Sequence, residues 1–103
     1  MKDIFVTIKA REGENLTVRC FADEEKAKQY VLSNALKHFN VTDADQSSAE
    51  MLDAFRGKLA DVDVRDTFEI EGGGTNETDG CFDVWLDYQD ELVSWVVRKC
   101  PVE

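Results

Sequence analysis

The chain has 103 residues, 43% of them hydrophobic, and its 22 acids against 12 bases give a net charge of −10. That length suits one domain, residues 1 to 103, with a core burying roughly two-thirds of the unfolded surface, and that apolar content excludes a disordered chain. The charge disfavours nucleic acid as a direct ligand, and the charged first 20 residues hold no apolar run that reads as a signal peptide or membrane span.

A leaderless chain with an odd number of cysteines, Cys20, Cys81 and Cys100, is expected in a cytoplasm with its thiols reduced. Lys2 to Ala10 alternates Ile4, Val6 and Ile8 with polar partners, and Leu16, Val18 and Cys20 resume the alternation after the polar stretch 11–15. This spacing predicts a β-hairpin. Its second face carries Phe5, Thr7, Lys9, Thr17, Arg19 and Phe21, which either a helix or a partner must cover.

Asp23 then reads as an N-cap, with Glu24 and Glu25 in the first turn where the helix dipole favours acids. Ala27, Val31, Leu32, Ala35, Leu36 and Phe39 share a broad apolar face, predicting a helix to about His38. Ser47-Ser48-Ala49-Glu50 matches a capping box that opens a second helix, with Met51, Leu52, Phe55 and Leu59 on one stripe. From Val62 the period returns to two: Val62, Val64, Phe68 and Ile70 oppose Asp63, Arg65, Thr67, Glu69 and Glu71, which predicts a strand.

Gly72 to Gly80 holds four glycines and no apolar side chain, so a flexible loop is expected there. Phe82 to Tyr88 alternates again, and Leu92 to Lys99 is rich in β-formers, although a helix over 90–99 is the rival reading. A turn centred on Asp90 and Glu91 makes paired residue numbers sum to 181, setting Asp83 against Arg98 and Cys81 against Cys100 on the outer face. The expected fold is α+β: an antiparallel sheet of about five strands with two helices on one face, in the order ββααβββ.

Charge is segregated along this order. Residues 59 to 97 hold eleven acids and one base, Arg65, which accounts for a net −10 by themselves. On the expected strands Glu69, Glu71, Asp83 and Asp87 share a face, neighbours in one strand lying about 6.6 Å apart. Two steps of a nucleic-acid strand cover a similar distance, so a carboxylate row can imitate a phosphate row. Trp85 among these acids offers an aromatic anchor, and Asp90 and Glu91 extend the acidic set at the turn. The competing reading is a solvated acidic face that only maintains solubility.

Other chemistry is weakly marked. His38, the single histidine, reads as a cation complementing a helix C-terminus rather than a base, because sequence logic sets no Ser or Cys beside it. The cysteines lack metal-ligand spacing, and no cofactor or metal is expected. Residues 43–47 begin like a calcium loop, but Ser48 replaces the required glycine and Ala54 the bidentate glutamate. Gly72-Gly73-Gly74 precedes no Lys-Ser/Thr pair, so no phosphate loop is expected either.

In size and charge the chain is similar to small acidic phage or plasmid proteins that block CRISPR or restriction complexes. The expectation is therefore a non-enzymatic inhibitor that binds the basic nucleic-acid-binding surface of a protein complex through Glu69, Glu71, Asp83, Trp85, Asp87, Asp90 and Glu91. An immunity or antitoxin-type protein facing a basic nuclease is the alternative, followed by an acidic adapter subunit and a small enzyme. In a gel shift at physiological salt the chain should leave DNA and RNA unshifted; a complex in the micromolar range would contradict the charge argument.

Overall fold

The computed structural model describes residues 2–41, 46–89 and 91–102, with side chains for all of these except Lys2 and Val102. Five antiparallel strands form one sheet: β1 (Lys2–Arg11), β2 (Thr17–Phe21), β3 (Ile70–Thr78), β4 (Cys81–Tyr88) and β5 (Glu91–Val102). Their spatial order is β2-β1-β5-β4-β3, so the last strand enters the middle and joins the N-terminal hairpin to the C-terminal meander. Three helices lie between β2 and β3: α1 (Glu24–Lys37), α2 (Ser48–Ala60) and α3 (Val62–Thr67).

Helix starts follow the expected caps. The Asp23 side chain accepts from the Glu25 N–H at 2.9 Å, and Ser47 and Glu50 complete both halves of the capping box. Glu25 also reaches across to α2, where its carboxylate accepts from the Ser48 hydroxyl at 2.6 Å and the Ser48 N–H at 2.8 Å. These two bonds hold the Glu25 carboxyl below the usual carboxylate range and fasten the two helix N-termini to each other.

Ala27, Val31, Leu32, Ala35 and Leu36 of α1, with Met51 and Phe55 of α2, are buried against Phe82, Val84, Leu86, Val93, Trp95 and Val97 of the sheet. Alternation explains the sheet's contribution: every second residue of β4 and β5 points to the helices, and its neighbours point away. In the hairpin the helix-covered face is the one bearing Phe5, Thr7 and Phe21. The Phe21 ring lies 5.4 Å from Tyr30 of α1, and Thr7 is buried. Of the two possible covers for that face, the helix is the one present, and the side left open is that of Ile4, Val6 and Ile8.

Three sequence expectations are corrected. Val62–Thr67 is helix α3, not strand: Asp61 caps it by accepting from the Asp63 and Val64 N–H groups, and Val64 and Phe68, four residues apart, both pack on the core. The expected glycine loop is strand β3, whose small residues admit neighbouring groups. A Cβ on Gly73 would stand 2.9 Å from the Trp85 carbonyl oxygen, and one on Gly74 would stand 2.7 Å from Cζ2 of the Trp85 ring.

The β4–β5 partners sum to 179 rather than 181, as in Trp85 with Ser94, because the turn falls one residue earlier. That shift preserves parity, so every side chain keeps its expected face while its partner changes. Residues 91–102 form a strand, which settles the strand-or-helix choice for that segment. Asp90, expected in the turn, and residues 43–45 of the calcium-like run lie outside the described residues.

Gly73→Ala should lower stability by about 1–3 kcal/mol, since the new methyl meets backbone and two leucines. Gly72→Ala, with nothing within 4 Å of its Cβ, should stay within about 0.5 kcal/mol of the parent. Urea midpoints compared at a common slope check this, and equal midpoints for the two variants would contradict the packing of β3.

Candidate functional site

The expected acidic set separates into three places. Asp83, Trp85 and Asp87 project from β4 to the helix-free face of the sheet, as alternation requires. Glu91 opens β5 on the opposite face, and its Oε2 accepts from Arg11 at 2.7 and 3.0 Å. Arg11 also lies 5.6 Å over the Tyr88 ring, which fixes its guanidinium and leaves Glu91 neutralised. Glu69 and Glu71 belong to neither group. Glu69 connects α3 to β3 with φ 56°, and Glu71 sits in the bulge between Ile70 and Gly72.

Ion pairs also redistribute the charge. Arg98 donates to Asp83 at 2.7 Å, a diagonal contact on the helix-free face. Lys28 pairs with Glu77 and with Glu24, and Lys99 lies 3.4 Å from Asp3. Among the described residues no ion pair reaches Asp61, Asp63, Asp66, Glu69, Glu71 or Asp87. These six belong to α3, its N-cap, the α3–β3 junction and the end of β4.

Asp66, Glu69 and Glu71 line an open cleft with Arg65, Ile70 and Gln89. Arg65, the one base of the acidic segment, donates to the Glu71 carbonyl at 2.9 Å, so its charge holds the backbone rather than a carboxylate. The Gln89 N–H donates to the Glu69 carbonyl at 3.3 Å and closes the far wall. The sequence had counted Asp61, Asp63 and Asp66 among the acids without placing them in the site. Their signal was Asp61 as a cap followed by Val64 and Phe68 at helical spacing.

The helix-free face is otherwise uncharged among its described strand side chains, apolar across β2 and β1 with polar Ser94, Asn76 and Thr78 toward β3. Across β2, β1, β5 and β4 one level reads Cys20, Val6, Arg98, Cys81, and the next reads Val18, Ile8, Val96, Asp83. Cys100 lies opposite Ile4, so all three cysteines occupy this side, each with a free thiol. Cys81 and Cys100 do share the outer face, but Cys81 is opposite Arg98, not Cys100.

His38 caps α1 with its ring 5.0 Å from Tyr88 and 5.5 Å from Trp95, both edge-on. Burial and the nearby Lys9 and Arg11 lower its pKa, so it is uncharged at neutral pH and does not act as the helix-end cation expected. Among the described residues no side-chain hydrogen bond joins it to a hydroxyl or thiol, and no group of three or more His, Cys, Asp or Glu could hold a metal ion. No helix of the described residues is long and apolar enough to cross a membrane.

No protein-family model, curated protein or solved structure matches the chain. The site rests on this chain's own residues.

An NMR pH titration of the single imidazole should show a midpoint below the ordinary 6.5. The unfolded chain then takes up the proton first, so His38 withdraws stability as pH falls through 6.5 and contributes fully above it. A midpoint at or above 6.5 would contradict the packing of His38 against Trp95.

Proposed function

We propose that this protein is a non-enzymatic inhibitor that sets its acidic α3–β3 end against the basic nucleic-acid-binding surface of another protein. One observation carries the reading: five carboxylates without an ion pair among the described residues, Asp61, Asp63, Asp66, Glu69 and Glu71, follow one another along α3, its cap and its junction with β3, whereas Asp83 and Glu91 are neutralised by arginines. A cluster of uncompensated charge raises a local field of several kT and steers a basic partner to the cleft walled by Asp66, Glu69 and Glu71. The candidate contact thus moves from β4 to the α3–β3 junction, with Asp87 at its border.

A CRISPR or restriction complex and a basic nuclease toxin both present such a surface, and both stand as partners under this reading. Affinity capture from the host followed by competition with nucleic acid identifies which applies. The captured protein should lose nucleic-acid binding as the inhibitor is added, and a partner whose nucleic-acid binding is undiminished would overturn the proposal.

Reversing charge with Asp66→Lys and Glu69→Lys should slow association with that partner about tenfold at low salt and flatten the salt dependence. Asp83→Asn should change the rate far less, because Arg98 already cancels that charge. Stopped-flow association at several salt concentrations distinguishes the two. Equal rates for the double variant and the parent would show the acidic end to be merely solvated.

A further inference from the structure

The helix-free face of the sheet differs from the rest of the molecule in charge and in polarity. Two of the four large hydrophobic side chains most exposed in the structure belong to this side, Val18 at 55% and Leu92 at 55%, and Leu16 at 63% immediately precedes β2. Val6, Ile8 and Val96 continue the apolar surface between them, half-buried by their neighbours. Trp85 extends it over β3, where the indole lies flat against Gly74. Apolar side chains left together on one uncovered face mark a candidate contact surface.

Charge on the face is sparse. Asp83 and Arg98 cancel each other at 2.7 Å, leaving Asp87 as the one uncompensated charge among its described side chains. The molecule as a whole carries −10, so almost all of that charge lies elsewhere. A second copy of this chain is repelled by the acidic end, and this face is where it meets least repulsion. A basic partner is drawn instead to the α3–β3 cleft.

Size is consistent with the same occupant. Five strands at about 4.8 Å spacing and roughly nine residues long give a face of about 24 Å by 30 Å, or about 700 Å². That approaches the roughly 800 Å² per partner of a standard stable interface. We infer that two copies of this chain pack these faces together about a two-fold axis, sheet on sheet about 10 Å apart, with the helices outermost. Each copy brings its own Asp83–Arg98 pair, so neither charge is buried without its partner, and the two acidic ends remain free. The inference needs no outside partner and stands or falls independently of the inhibitor reading.

The three cysteines make the contact measurable without labels. Cys20 is exposed in the single chain, so its protection requires a second copy. Sedimentation velocity on the full chain, from below 1 µM to about 0.1 mM, should show twice the monomer mass at the upper end, where an interface of this size is populated. Alkylation of Cys20 followed by mass spectrometry should slow at least tenfold over the same rise in concentration.

Val18→Asp places a charge on a side chain that is already mostly solvated in the monomer, so the fold survives, and it should abolish both effects. Val62→Asp, more exposed still but on α3, should leave both unchanged. A chain that stays monomeric at the highest concentration overturns the inference. So does a dimer that persists in Val18→Asp with Cys20 reacting as a free thiol, since that dimer uses another surface.

Discussion

The sheet's one-sided cover governs the remaining features of this molecule. The three connections that could otherwise carry a helix to the opposite face, β1 to β2, β3 to β4 and β4 to β5, are short, so all helical chain among the described residues lies in the single stretch between β2 and β3. That stretch packs on one face, where Trp95 and Phe55 are fully enclosed. The consequence is a sheet whose odd and even positions meet different surroundings: Val93, Trp95 and Val97 are sealed under α1, while Ser94, Val96 and Arg98 look outward.

Electrostatics follows that division. Arginines compensate two carboxylates of the sheet, Arg98 for Asp83 and Arg11 for Glu91, while Asp87 at the end of β4 has no ion pair among the described residues. The short helix and the bulge after it have no such partners, and the single base available, Arg65, is committed to the Glu71 carbonyl. The acids of α3 and of the bulge therefore keep their charge through pairing geometry as well as local composition. An apolar, nearly neutral sheet face and an acidic end are two distinct surfaces, suited to two kinds of contact.

Much of the architecture was legible because its signals are local. Asp23, Ser47 and Glu50 each act within three residues of themselves, and alternation in β1 and β4 needs no knowledge of the partner strand. The acidic segment was misread where two periods coincide: Val62, Val64 and Phe68 alternate like a strand, yet Val64 and Phe68 also stand four apart, and the Asp61 cap decides for helix. The glycines of β3 hid a strand because strand patterns are carried by side chains, and here Trp85 and Leu59 supply the packing from outside.

Less of the site could be read, for a related reason. Glu91 is neutralised by a residue 80 positions away, and no sequence period reports such a pair. The outer location of Cys20, unlike that of Cys81 and Cys100, was likewise hidden until the helices were assigned to the Phe5 and Phe21 side.

The central claim, that helices cover one sheet face only, is tested most directly by side-chain NOEs from the α1 methyl groups. The account predicts contacts from Val31, Leu32 and Ala35 to core-facing sheet residues such as Val84, Trp95 and Val97, and none to Val6, Ile8 or Val96, whether the chain is single or paired. Contacts from those methyls to Val6 or Ile8 would place the helices on the other side and contradict the account.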